Sequence, residues 1–125
     1  MSRLLWVFVA GGAGASSRYL VNVWAEQRWG TGFPVATLLV NLAGCFLLGV
    51  LMQLALLLPH FPPTLRIALS AGFLGGLTTY SSFNFETTRL VQAGETGRGV
   101  VYFAATILGC LVCGLAGMWL ARRCV

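Results

Sequence analysis

The stretch "GFLGGLTTYSSF", Gly72 to Phe83, decides how this chain is read. It lies within an otherwise apolar run. Yet it holds three glycines and, besides its tyrosine, four hydroxyl residues. Glycine and β-branched threonine both weaken an α-helix. Gly75-Gly76 followed by Thr78-Thr79 therefore predicts a helix that breaks. A break frees backbone N–H and C=O groups that lipid cannot satisfy, so it is tolerated only when buried in protein or lining a wet cavity. Nearby Ser and Thr hydroxyls can supply some of the missing hydrogen bonds.

The rest of the chain sets the solvent. It has 125 residues, 58% hydrophobic and 9% charged. A soluble domain usually carries about 25% charged residues. Four apolar segments follow one another: Leu4 to about Ala25, Val35 to Leu58, Ile67 to Phe85 and Gly99 to Ala121. Each approaches or exceeds the ~20 residues that cross ~30 Å of hydrocarbon. The expectation is one all-α membrane domain over residues 1–125, with four spans and the third helix broken at the bilayer midplane. The N-terminus also has features of a cleaved secretory signal, with Arg3 before a short apolar run and Ala13-Gly14-Ala15 beyond it. The span is the reading adopted.

The net charge of +5 comes from arginine alone, with no lysine and no aspartate. The arginines sit singly near span ends, as in ordinary membrane loops, so nucleic acid is not an expected partner. Four spans would place Arg3, Arg66, Arg122 and Arg123 on one side of the membrane. Arg28, Arg89 and Arg98 would lie on the other, with Arg18 if it snorkels that way. Orientation follows the Lys/Arg excess in short loops, and here there is hardly any. Insertion in both orientations is the sharper reading, with two antiparallel copies paired about a two-fold axis in the membrane plane. Arg66 and Arg89 flank the third segment, and Thr78 lies almost midway between them. The axis would therefore pass near the break. Carbonyls freed in two copies would converge there on a hard monovalent cation, with Na⁺ the expected occupant. The absence of carboxylates in the stretch argues against Ca²⁺ or Mg²⁺. The competing reading is a glycine packing contact with no ion, which Gly72-x-x-x-Gly76 fits equally well.

Polar residues line up on two other segments. Thr37 and Asn41 are four apart in the second and share a helix face; Gln53 is its other polar residue. Tyr102, Thr106 and Cys110 repeat at four in the fourth. Such rows serve either interhelical hydrogen bonding or a pore wall. As rows of donors without carboxylates, they suit an anion. Tyr80 and Phe83 are three apart after the break, and aromatic ring edges are electropositive. Arg18 is the charge well inside the first segment, a functional position by default. It either anchors an interface or raises the anion potential at a pore mouth, with Glu86 a candidate partner. Cys110-x-x-Cys113 has metal-ligand spacing but no second pair or histidine in its segment. It is read as small residues at a helix contact, and His60 as a loop residue.

Three motifs together resemble the Fluc/CrcB fluoride channels: Gly-Ala-Ser-Ser-Arg-Tyr (14–19), Thr-Leu-Leu-Val-Asn-Leu-Ala-Gly (37–44) and Gly-Phe-Leu-Gly-Gly-Leu-Thr-Thr-Tyr-Ser-Ser-Phe (72–83). The resemblance extends over all four apolar segments in order. It implies a dual-topology homodimer in the plasma membrane, with two antiparallel pores that export fluoride passively and lower its cytoplasmic level. It implies a structural Na⁺ at the dimer centre, held by backbone carbonyls that fall on Gly75 and Thr78. The family's pore asparagine falls on Asn41. Its paired phenylalanines fall on Tyr80 and Phe83, and its hydroxyl track on Tyr102, Thr106 and Cys110. Two positions depart from the pattern: Tyr80 replaces a usual Phe, and Cys110 a common Ser. The rival class is a small multidrug resistance transporter, also short and of dual topology. That class needs a carboxylate inside its first span, whereas Glu26 stands at the span's end. No Ser/His/Asp set, metal cluster or phosphate loop points to an enzyme.

Overall fold

The computed structural model describes every residue from Met1 to Val125, and all of its regular structure is helical. Helix α1 spans Ser2–Trp29, α2 Val35–Leu57 and α6 Thr96–Cys124. These three are long and apolar enough to cross a membrane. Between α2 and α6 the chain is helical in pieces. Helix α3 (Pro63–Ile67) runs into a π-helical segment (Ala68–Leu74) and then into α4 (Gly75–Leu77). Two extended residues follow, then α5 (Tyr80–Gln92). The helices overrun the apolar segments by a few residues at most ends, because helical hydrogen bonding continues where the apolar run stops.

Local signals punctuate these elements. Helix α1 ends on Gly30 at φ 75°, whose N–H reaches the Glu26 carbonyl at 2.8 Å. Helix α5 ends before Gly94 at φ 81°, and the Glu95 N–H closes back onto the Leu90 carbonyl at 2.9 Å. Left-handed backbone at a helix C-terminus favours glycine. Pro63 stands in the first turn of α3, where its missing N–H is no loss.

Within the expected stretch the break falls on the threonines and not on the glycines. Gly75 and Gly76 are helical, whereas Thr78 (φ −84°, ψ 157°) and Thr79 (φ −152°, ψ 119°) are extended. β-Branched side chains accept extended backbone readily. The glycines are used for packing instead. A Cβ on Gly76 would run into the Gly11 carbonyl, and one on Gly14 into the Phe73 carbonyl. A Cβ on Gly72 would stand 2.8 Å from that of Ala10. Helix α1 thus lies backbone against backbone on the π-helical segment and α4. Helices α2 and α6 meet in the same way, since a Cβ on Gly49 or Gly117 would strike the Gly114 or Phe46 carbonyl. Small residues at such contacts hold membrane helices together by close packing.

Much of the apolar surface stays uncovered in the single chain. Leu4, Phe8, Tyr19, Leu20, Leu111 and Leu115 are exposed. In water this surface would drive aggregation; in lipid it is the proper outer face.

Candidate functional site

One face of α2 reads the broken segment residue by residue. Thr37, Asn41 and Gly44 are spaced by four and three, so they lie on one side of the helix. The Asn41 side chain meets the main chain of Thr79 twice. Its Oδ1 accepts from the Thr79 N–H at 2.8 Å, and its Nδ2 donates to the Thr79 carbonyl at 3.1 Å. An amide side chain here replaces the missing turn of helix. Gly44 leaves space for the Thr78 methyl group, which a Cβ would strike.

The hydroxyls of the break cap both of its ends. Thr78 Oγ1 donates to the Leu74 carbonyl at 2.9 Å. Thr79 is the N-cap of α5: its Oγ1 accepts from the Ser82 N–H at 3.2 Å and donates to Ser82 Oγ at 3.1 Å. N-cap hydroxyls satisfy otherwise orphaned helix donors. This bonding has a consequence for the carbonyls. In an unbroken helix Thr79 N–H would close onto Gly75, and Ser82 N–H onto Thr78. Both donors are engaged elsewhere, so the Gly75 and Thr78 carbonyls lose their helical partners. Gly75 is exposed on the single chain, and Thr78 is half-buried.

Beside the break lies a groove of about 240 Å³ lined by Asn41, Cys45, Thr79, Phe83, Thr106 and Cys110, among others. Thr106 is 5% exposed, and its hydroxyl oxygen has no hydrogen-bond partner. A buried polar atom without a partner costs about 1–3 kcal/mol. This oxygen lies on the groove wall with Asn41 and Phe83. Phe83, 3% exposed, lines the groove from within a ring cluster. Its centroid is 5.4 Å from Tyr102, 5.8 Å from Phe103 and 5.7 Å from Tyr80. Tyr80 lies on the outer side and is 76% exposed.

Beyond the rings stands a residue whose role sequence reasoning missed. Glu86 accepts from Thr37 Oγ1 at 2.8 Å and from Tyr102 Oη at 2.7 Å. The rows on α2 and α6 therefore do face one another, but they are not free of carboxylate. The suggested Arg18–Glu86 pair does not form: Glu86 is held by hydroxyls, and the chain's ion pair is Arg98–Glu95 at 3.5 Å. Arg18 is half-buried on α1. The available signal was spacing, since Thr79, Phe83 and Glu86 recur at four and three along α5 and so share the face that meets α2 and α6. A second pocket, of about 210 Å³, is lined by Asn22, Glu26, Thr31, Thr37, Glu86 and Arg89, among others, and reaches the same carboxylate from the loop side.

These features define an all-helical, multi-pass membrane protein organised around a capped helix break and two facing rows of polar side chains. The family described as CrcB-like protein, Camphor Resistance (CrcB), matches residues 5–118, and the chain belongs to it. It is 44% identical to the fluoride-specific ion channel FluC of Sorangium cellulosum, over the whole of this chain and 98% of that one. It is 47% identical to the FluC of Anaeromyxobacter sp. (strain K), over 98% of this chain and 97% of that one. Identity to the FluC of Prosthecochloris aestuarii is 44%, over 97% of this chain and 94% of its relative.

Proposed function

We propose that this chain is a fluoride-specific ion channel that lets fluoride leave the cell passively, down its gradient. The observation that carries the reading is the Thr106 hydroxyl, buried without a partner on the wall of a groove that also holds Asn41 and Phe83. Fluoride holds its water tightly, so a narrow route must replace part of that hydration with donors. Thr106 offers a free hydroxyl. Asn41 has one amide N–H beyond the one given to Thr79. Phe83 offers a ring edge, and the N-terminus of α5 presents the positive end of its dipole to the groove. Cys110 is a weak donor at the next position of the α6 track. Thr37 and Tyr102 continue the route, and an anion that reaches them must compete with Glu86 for their hydroxyls. Tyr80, exposed on the single chain, supplies the second ring of the aromatic pair.

A channel of this kind needs four spans per chain, the third made of α3 to α5, and a second, antiparallel copy. The exposure of Gly75 and Tyr80 beside the break and the even distribution of arginines support that assembly. The freed Gly75 and Thr78 carbonyls suit a hard monovalent cation. One chain supplies two such oxygens, so a structural Na⁺ would be shared between copies, and its charge would hold the two breaks together. Lipid covers the remaining apolar faces. Arg18, half-buried on α1, is assigned to the interface or to a pore mouth.

The deciding measurement is anion efflux from liposomes carrying the purified protein, with fluoride and chloride compared side by side. Fast fluoride efflux with chloride retained is the expected result. Equal efflux of both anions, or none of fluoride, would overturn the reading.

A further inference from the structure

We propose that Cys45 and Cys110 form a two-coordinate site for a soft, thiophilic cation of the Hg²⁺ or Ag⁺ class. Both thiols are free, both are half-buried, and both line the groove that holds Thr106 and Asn41. They come from different helices, α2 and α6, and meet on the wall of the one groove at the seam between them. The seam brings them together because glycine replaces side chains there. A Cβ on Gly49 would strike the Gly114 carbonyl, and a Cβ on Gly114 would stand 3.8 Å from the Cys45 carbonyl. Cys110-x-x-Cys113 by spacing alone amounts to a helix contact. The partner that makes a ligand pair lies on α2, where spacing along one helix cannot reveal it.

The chemistry favours a soft metal with few ligands. Thiolate sulfur selects soft ions over hard ones. No group of three metal-ligating side chains occurs in the chain, which excludes a tetrahedral zinc site. Mercury(II) binds two thiolates linearly and needs nothing more. Neutral HgCl₂ can enter the membrane interior. It exchanges two Hg–Cl bonds for two Hg–S bonds, and the two thiol protons leave with the two chlorides as HCl. No electron is transferred, and the bis-thiolate product is neutral, as a low-dielectric site requires. Metal held at this wall would obstruct the groove. That consequence rests on the groove being the ion path; binding of the metal does not.

The test uses the full-length protein carrying Cys113→Ala and Cys124→Ala, so that Cys45 and Cys110 remain. The probe is HgCl₂, followed by a wash with excess glutathione. Intact mass should rise by one mercury less two hydrogens per chain, and fluoride efflux should fall about tenfold or more, as expected for an obstructed narrow pore. Adding Cys45→Ala or Cys110→Ala should abolish glutathione-resistant mercury, with size-exclusion elution as the folding check. Equal retention by either single-thiol variant, or two chloride-bearing mercury atoms per chain, would overturn the site. Mercury bound as expected with undiminished efflux would support the site and overturn the placement of the pore.

Discussion

Asn41 bonds twice to a single residue, and that changes what its substitution should do. Its amide completes the backbone at Thr79, which is itself buried. In Asn41→Ala the Thr79 N–H loses its partner, at a cost of about 1–3 kcal/mol. In Asn41→Asp the N–H keeps an acceptor, but a carboxylate oxygen faces the Thr79 carbonyl where an amide donor stood. Both variants should lose fluoride efflux and thermal stability together, measured by liposome efflux and by the midpoint of thermal aggregation. Lost efflux at unchanged stability would mean that Asn41 serves the ion alone. Phe83 should behave differently. Its ring sits among three others, and such pairs contribute about 0.5–1.5 kcal/mol each beyond burial. Phe83→Ile keeps apolar bulk and loses the electropositive edge. Efflux should fall about tenfold or more, as when a pore-lining group is removed, while size-exclusion elution stays unchanged. Tyr80→Phe should be tolerated, because it keeps the ring and restores the phenylalanine that the family resemblance places at this position. Wild-type efflux in well-folded Phe83→Ile would make the ring a packing element and move the pore elsewhere.

At the scale of elements, the contacts between helices rest on missing side chains. Gly76 lies backbone against backbone on Gly11, and a carbonyl cannot yield as the end of a flexible side chain can. Gly76→Ala is expected to destabilise by about 1–3 kcal/mol through overpacking. Gly97, in the first turn of α6, has nothing within 4 Å of where its Cβ would stand. Gly97→Ala should stabilise by about 0.4–1 kcal/mol by restricting the unfolded chain. Thermal aggregation midpoints of the two variants should move in opposite directions; a common direction would refute the packing account. The same contrast explains what the sequence revealed and what it hid. Helices α1, α2 and α6 were legible because long apolar runs have one solution in lipid. The presence of a break was legible from Gly75 to Thr79. Its register was not, because glycine has two uses, conformational freedom and close approach. Only the position of α1 decides that Gly72 and Gly76 serve the second. The π-helical segment left no local mark, being fitted to α1. Asn41 was legible as a polar residue on an apolar helix, but its partner was backbone, which carries no residue signal. Glu86 was misassigned because a nearby arginine is the habitual partner of a carboxylate, whereas here two hydroxyls, from Thr37 and Tyr102, hold it.

At the scale of the whole molecule, the proposed antiparallel pair makes demands that a single orientation cannot meet. The break exposes Gly75 and Tyr80 on the outer side of the chain, where lipid would leave a freed carbonyl unsatisfied. A second copy related by a two-fold axis through this point would present the same groups and could share one cation. Pairing of opposite orientations requires that both be made, and the arginines permit this: Arg3, Arg66, Arg122 and Arg123 oppose Arg28, Arg89 and Arg98 across the four proposed spans. Lysine in short loops shifts orientation, so two lysines placed in the loops after α1 and α5 should draw those loops to the cytoplasm. Two placed beside His60 and at the C-terminus should do the reverse. Each biased protein alone should insert one way and export little fluoride, and co-expression of the two should restore export. Cysteine labelling of loop positions in intact cells reads the orientation, and cellular fluoride tolerance reads the function. Full tolerance conferred by either biased protein alone would overturn the antiparallel pair, because one orientation would then suffice to satisfy the break and form the pore.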